Sequence, residues 1–325
     1  PVLENLSTLT GKYGEEGDQL LFKVLNSGDY LKDVNAETLS NKDSKKLTPQ
    51  IADRGLRYDL TVPLARYVVQ HQNDLVFPFK RYHIAPVWRA DRPQKGRYRE
   101  FYQCDADIIG SNSLLNEVEL TQIFSKVFSL LKLNTEIRIN NRKILEAIAV
   151  YASCEDKIEP MTVAIDKLDK IGIEGINNEL LNRGFTDEQI NKVKQVLVVK
   201  NLEELTALFA SIPVGLQGIE ELAHVMKLAS SPSVVFDVTL ARGLNYYTGV
   251  IWEIKSLDSS MGSIGSGGRY ANLTEMFGGR DMSGVGISFG VERIYDIMEE
   301  LKLFPQDALK TTEVLFVHFS EANRD

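Results

Sequence analysis

Residues 79–109 read Phe79-Lys80-Arg81-Tyr82-His83-Ile84-Ala85-Pro86-Val87-Trp88, then Arg89-Ala90-Asp91-Arg92-Pro93-Gln94-Lys95-Gly96-Arg97, then Tyr98-Arg99-Glu100-Phe101-Tyr102-Gln103-Cys104-Asp105-Ala106-Asp107-Ile108-Ile109. The two outer runs, Phe79–Trp88 and Tyr98–Ile109, are rich in aromatic and β-branched residues, and an Arg/Gly/Pro segment separates them. This pattern predicts two antiparallel strands joined by a long loop. Residues 80–99 carry seven basic side chains against Asp91 alone, a local +6. The whole chain carries −8, so the remainder must hold −14. A solvated turn is the bland reading of such a loop. Closure over a polyphosphate is the chemical one, because arginine's planar fork matches phosphate oxygens. Along the second strand Arg99, Phe101, Gln103, Asp105 and Asp107 share one face by period two, while Tyr98, Tyr102, Cys104, Ala106 and Ile108 share the other. The first set makes a poor core and a good floor for a polar ligand: Phe101 to stack on a base, Gln103 and Asp107 to reach one small substrate.

The 325 residues are 43% hydrophobic and 25% charged, an ordinary composition for a protein of two or three domains. The acidic balance excludes a general nucleic-acid-binding charge. Two cysteines exclude a disulfide scaffold or zinc ribbon. The four histidines show no metal-ligand spacing, and no apolar run reaches the roughly 20 residues that span a bilayer. No signal segment opens the chain, which points to the cytoplasm. Helices are expected from Thr61 to about Asn73, from Ser113 to Leu133 and from about Val291 to Leu301. Residues 156–233 are rich in Lys, Glu and Leu and contain no Tyr or Trp. Thr186 with Gln189 forms a capping box there, so this stretch reads as a helical insertion. Glu313–Phe319 reads as a new strand.

Three further segments carry ligand-type chemistry. Leu240-Ala241-Arg242-Gly243-Leu244-Asn245-Tyr246-Tyr247-Thr248-Gly249 sets an arginine beside a glycine and two adjacent tyrosines. Gly262–Tyr270 and Gly284–Gly290 are glycine-rich and fit neither a phosphate loop nor a dinucleotide fingerprint. Glycines there let backbone lie against a ligand. Glu292 and Arg293 open the helix that follows.

Together these segments resemble the class II aminoacyl-tRNA synthetases, and within them the histidyl-tRNA synthetase family. Arg89–Phe101 is similar to that family's motif 2, and Gly284–Arg293 to motif 3. Leu240–Gly249 is similar to the histidine signature RGLDYYTG, with Asn245 in place of its Asp. Leu56–Thr61 is similar to the amino-group-binding turn. Positions 59, 91 and 107 carry Asp where many bacterial members carry Glu. The resemblance implies an α+β fold, an antiparallel sheet flanked by helices. It implies a catalytic core over residues 1–155 and 234–308, a helical insertion domain over 156–233, and the start of an α/β anticodon-binding domain over 309–325. Most of motif 1 would precede Pro1.

The implied reaction is ATP-dependent activation of L-histidine as histidyl-adenylate, then transfer to the 3′ end of tRNA(His), with Mg²⁺ beside ATP, in a cytoplasmic homodimer. A non-catalytic paralogue that senses histidine or tRNA is the alternative. By resemblance, Arg89, Arg242 and Gln103 are catalytic. Histidine is bound by Asp59, Leu60, Thr61, Arg89, Gln103, Asp107, Arg242, Tyr246 and Tyr247. ATP is bound by Arg89, Asp91, Arg97, Phe101 and Arg293. Metal ligands are left unassigned.

Overall fold

The structure, a computed structural model, describes residues 1–11, 14–241, 246–271 and 274–305. Arg242 and the expected strand Glu313–Phe319, with the whole 309–325 segment, lie outside the described residues. The strands in chain order are β1 (Leu3–Asn5), β2 (Lys23–Val24), β3 (Arg54–Leu56), β4 (Phe79–Trp88), β5 (Glu100–Ile109), β6 (Thr135–Asn141), β7 (Val234–Phe236), β8 (Tyr247–Ser256), β9 (Gly265–Tyr270) and β10 (Gly284–Gly290). The first three form a small sheet of order β1-β3-β2. The other seven form the main sheet, β4-β5-β10-β9-β8-β6-β7. Every pairing is antiparallel except β6 with β7. An antiparallel sheet flanked by helices is therefore the fold, as the sequence leads one to expect.

The hairpin forms as read, with Arg81 opposite Asp107, His83 opposite Asp105 and Val87 opposite Phe101. Pro86 is tolerated because β4 is the sheet's edge, where a missing backbone donor breaks no ladder that another strand needs. β10 explains the two faces of the sheet. Val285, Ile287 and Phe289 turn toward the Leu115–Leu130 helix, and Phe289 meets Phe124 and Phe128 at ring-centre distances of 5.0 and 5.6 Å. Trp252 of β8 is buried on the same side, its indole donating to Thr121 Oγ1 at 3.1 Å. Gly284, Gly286, Ser288 and Gly290 alternate with these residues and leave the opposite face almost bare.

The helices match expectation with trimmed ends: Thr61–Gln70, Leu115–Leu130 and Val291–Glu300. Lys132 adopts φ +57 just past the second of these, which closes that helix before Leu133. Between residues 158 and 229 run five helices, beginning with Ile158–Asp166 and closing with Pro213–Ala229. The capping box is present, Gln189 N donating to Thr186 Oγ1 at 3.3 Å and Thr186 N to Gln189 Oε1 at 3.1 Å. Pro213–Ala229 packs against the Arg142–Tyr151 helix and against β6, so the helical run shares one apolar core with the sheet.

A buried charge pair borders that core. Glu117 has no exposed surface, and Arg269 of β9 engages both its oxygens, Nη2 donating to Oε2 at 2.7 Å. Arg269 also donates to Ser283 Oγ at 2.6 Å and to the Ser111 carbonyl at 3.0 Å. Removing one partner of such a pair leaves an uncompensated buried charge. Glu117→Ala is therefore expected to lower stability by about 3–5 kcal/mol. Equilibrium urea unfolding checks this, and a loss below about 1 kcal/mol would mean that Arg269 is held by its other partners.

Candidate active site

A cavity of about 510 Å³ opens on the bare face of the sheet. Its volume suits a nucleotide-sized or drug-sized ligand. The register sets its floor. Asp105 lies opposite Ser288, Ser288 opposite Ser266, and Ser266 opposite Glu253, so four strands present one polar row, and all four side chains line the cavity. His83 extends the row onto β4. One row over, Asp107 lies opposite Gly286 and Gly286 opposite Gly268. A Cβ on Gly286 would stand 2.1 Å from Asp107 Oδ1, and one on Gly268 2.6 Å from the Tyr247 ring. Only glycine allows those side chains to lie flat on the strands.

The rim is basic. Arg89, Arg97 and Arg293 all line the cavity, with Asp91 among them. Arg89 Nε donates to the Tyr58 carbonyl at 3.1 Å, and its guanidinium carbon stands 4.2 Å from the Tyr58 ring centre and 5.1 Å from that of Phe101. Cation–π contact of this kind holds the charge in place. Arg97 faces Asp91 at 3.3 Å. Arg293 donates to the Gly96 carbonyl at 2.7 Å and to the Ser263 carbonyl at 2.6 Å, which ties the loop tip to the start of the Val291–Glu300 helix. Tyr98 OH and Lys95 secure the loop to the same helix through Asp296 at 2.8 Å and Glu300 at 3.1 Å.

Asp59 and Thr61 lie at the start of the Thr61–Gln70 helix, and Asp59 Oδ1 accepts from Val62 N at 3.2 Å. Both line the cavity, as do Gln103, Tyr246 and Tyr247. Gln103 Nε2 donates to Ser288 Oγ at 3.4 Å. The tyrosine rings meet edge to face at 5.1 Å, and Tyr246 packs likewise on Tyr270 at 6.0 Å. Two residues expected at the ligand stand one layer back. Leu60 is buried against Ala85, Val87 and Phe101, and its carbonyl accepts from Arg81 Nη2 at 2.9 Å. Asp107 is 2% exposed and is absent from the cavity lining. Tyr270 OH donates to its Oδ1 at 3.0 Å, and Arg81 Nη2 forms an ion pair with Oδ2 at 3.2 Å, too poorly aligned for a hydrogen bond.

Burial and the neighbouring Asp107 charge push the Asp105 carboxyl up to about 8. Burial raises Asp107 as well, against the pull of Arg81 and Tyr270. Burial, then the charges of Asp105 and Asp107, raise the Tyr247 phenol. The sequence reading placed Asp105 on the right face without giving it a role. It missed Ser266, Ser288 and Glu253. Period two within β10 would have placed Ser288 on the glycine face; nothing local brings Glu253 to it, because strand register does that. No cluster of three or more His, Cys, Asp or Glu side chains able to hold a metal occurs among the described residues.

Residues 28–294 match the family model described as histidyl-tRNA synthetase. The chain is 56% identical to a histidine–tRNA ligase of Porphyromonas gingivalis, the match covering 100% of this chain and 74% of that protein. Among solved structures it is similar to a histidyl-tRNA synthetase from Nostoc sp. PCC 7120, with a TM-score of 0.75 and 31% identity over 94% of this chain and 68% of that one. A Bacillus halodurans structure, named as an ATP phosphoribosyltransferase regulatory subunit/histidyl-tRNA synthetase, shares the fold at a TM-score of 0.74 and 20% identity, covering 91% of this chain and 72% of that one.

The raised Asp105 carboxyl has a sign that stability can test. Between its unfolded value near 3.8 and its folded value of about 8, the folded state holds the extra proton. Stability contributed by that proton is present in full below the unfolded value and is lost as pH rises toward the folded one. Asp105→Asn removes this slope. In melting curves taken between about pH 5 and pH 8, the variant should gain on the wild type as pH rises, and a constant gap would place Asp105 in a solvated setting.

Proposed function

The chain belongs to the histidyl-tRNA synthetase family, and from that premise we propose that it is a histidine–tRNA ligase: it joins L-histidine to ATP as histidyl-adenylate and passes the histidyl group to the 3′ end of tRNA(His). The observation that carries this reading is one cavity with a basic rim and an acidic, hydrogen-bonding floor, each suited to one substrate. In the first step a carboxylate oxygen of histidine attacks the α-phosphorus of ATP. The bond from that phosphorus to the bridging oxygen breaks, and pyrophosphate leaves. Charge develops at the α-phosphate, where Arg89 is already held by Tyr58 and needs no reorganisation.

Arg97 and Arg293 take the outer phosphates, the former on release from Asp91. Phe101 offers its ring to adenine and Asp91 stands at the edge of that base. Asp59 and Thr61 take the substrate ammonium, with Leu60 shaping the turn from behind. Gln103 meets the carboxylate region, and Tyr246, Tyr247 and, from the deeper layer, Asp107 surround the imidazole. Arg242, by its place in the histidine signature, joins Arg89 at the reacting carboxylate. Mg²⁺ bound to the triphosphate would supply further charge neutralisation. Glu253 and Glu292 both line the cavity, and one or two carboxylates are what a phosphate-bound Mg²⁺ ordinarily takes. A non-catalytic histidine or tRNA sensor would not need Arg89, Arg97 and Arg293 around one cavity.

The division into a catalytic core (1–155 and 234–308), a helical insertion (156–233) and the start of an anticodon-binding domain (309–325) belongs to the same proposal. So do a cytoplasmic setting and a homodimer. Among the described residues no helix is long and apolar enough to cross a membrane. For the dimer, edge strand β4 exposes Tyr82 by 80% and Ile84 by 57% on its outer face, and an apolar edge of that kind tends to be covered. Sedimentation should give a dimer that Tyr82→Asp with Ile84→Asp weakens; an unchanged dimer would move the interface elsewhere.

The central test is ATP–pyrophosphate exchange with each of the twenty amino acids. Exchange with histidine alone is expected, and its absence would favour the sensor. Arg89→Ala should lower the exchange rate by roughly 10²–10³, the usual loss for one charge-stabilising donor. A rate within about threefold of wild type would remove Arg89 from the reacting centre.

A further inference from the structure

The tip of the basic loop is set by a contact that lies outside the cavity. Arg97 N donates to the Gln94 carbonyl at 2.8 Å and Gln94 N to the Arg97 carbonyl at 3.2 Å, so Lys95 and Gly96 form a tight turn. Gly96 takes φ +71, a conformation that favours glycine, and Arg97 follows it directly. A Cβ on Gly96 would stand 2.5 Å from Met261 Sδ, so the thioether lies flat against the turn. Met261 belongs to the segment between β8 and β9. Its side chain is partly buried against the apolar core and does not line the cavity. The segment is itself anchored, Met261 N donating to Ser259 Oγ at 3.2 Å and Ile264 N to the Ile254 carbonyl at 2.9 Å.

Arg293 joins the same two segments, donating to the Gly96 carbonyl of one and the Ser263 carbonyl of the other. The loop's other ties to the Val291–Glu300 helix are polar and face water. The Lys95–Glu300 pair is 71% and 51% exposed, and pairs of that kind contribute little and weaken with salt. Met261 supplies an apolar seat that salt does not screen. An unbranched thioether suits a seat whose load has to shift when ligand enters and leaves, because it repacks through several rotatable bonds. Resting on the reading that the basic rim takes the phosphates of ATP, we propose that Met261 is a positioning residue for ATP: it seats Gly96, and through that turn it holds Arg97 and Arg293 at the outer-phosphate end while touching no substrate itself. The amino-acid end of the cavity, around Asp59 and Gln103, is built from other segments and does not depend on this seat.

The test measures ATP binding by calorimetry, and the KM values for ATP and histidine by exchange, in wild type, Met261→Ala, Met261→Leu, Gly96→Ala and the Met261→Ala/Gly96→Ala double variant. Met261→Ala should weaken ATP by roughly 5- to 30-fold, the loss of one part-buried apolar contact, and leave the histidine KM within about twofold. Met261→Leu, close in volume, should return ATP binding to within about threefold of wild type. Gly96→Ala unseats the turn from the other side without touching the core, so the ATP loss can be read even where Met261→Ala unfolds. The double variant should be no worse than Gly96→Ala alone, since both changes remove one contact. Trypsin should cut Met261→Ala faster after Lys95 and Arg97 and at the wild-type rate elsewhere. Unchanged ATP binding in Met261→Ala, equal weakening of ATP and histidine, faster cleavage throughout the chain, or losses that multiply in the double variant would each overturn the proposal. A wild-type protein that neither binds ATP nor exchanges it in the presence of histidine would instead sink the functional reading on which the proposal rests.

Discussion

The site depends on glycines that two neighbouring strands, β9 and β10, place opposite each other on one face. At Gly286 and Gly268 the neighbouring groups leave no room for even a methyl, since Asp107 and the Tyr247 ring lie directly on the backbone. Strand alternation then sends Val285, Ile287 and Phe289 into the core behind, where Phe124 and Phe128 cover them. β10 thus fills a core on one side and opens a cavity on the other. A strand of larger residues would satisfy the core equally well and fill the cavity.

Charge is arranged in layers around that cavity. Its floor carries Asp105 and the layer behind carries Asp107, two acids that burial holds above the usual carboxylate range. Its rim carries arginines fixed by carbonyls, rings and an aspartate rather than left free in solvent. A polyanion is drawn to the rim and a ligand with N–H donors to the floor, which is the distribution of charge that the proposed adenylation calls for. Behind the sheet, Arg269 and the fully buried Glu117 join β9 to the Leu115–Leu130 helix through a largely buried pair. That contact fixes the height of β9, and with it the position of Ser266 and Gly268 on the cavity face.

The loop after β4 shows how a local charge excess becomes one wall of the cavity. Its five basic residues against Asp91, a net +4, sit in a protein of net −8, and two of its residues, Lys95 and Tyr98, reach acids on the Val291–Glu300 helix. Arg293 closes the circle by binding the Gly96 carbonyl at the loop tip. Segments two hundred residues apart in sequence therefore form one wall of the cavity.

The sequence by itself determined the hairpin, its basic loop, the helices, the capping box at Thr186 and the face shared by Phe101, Gln103, Asp105 and Asp107. All of these follow from periodicity and side-chain chemistry over neighbouring residues. The motif resemblance was equally local, and it led to the family. Tertiary structure alone decided which of two aspartates on one face reaches the cavity. Period two makes Asp105 and Asp107 equivalent, and the difference arises from what each meets across the sheet. Asp107 meets Arg81 on β4 and Tyr270 on β9, which draw it into the second layer. Asp105 meets Ser288 and the open row that continues through Ser266 to Glu253. Apart from Arg81, those neighbours lie roughly 150 to 180 residues further along the chain, and only the order and register of the sheet bring them into contact.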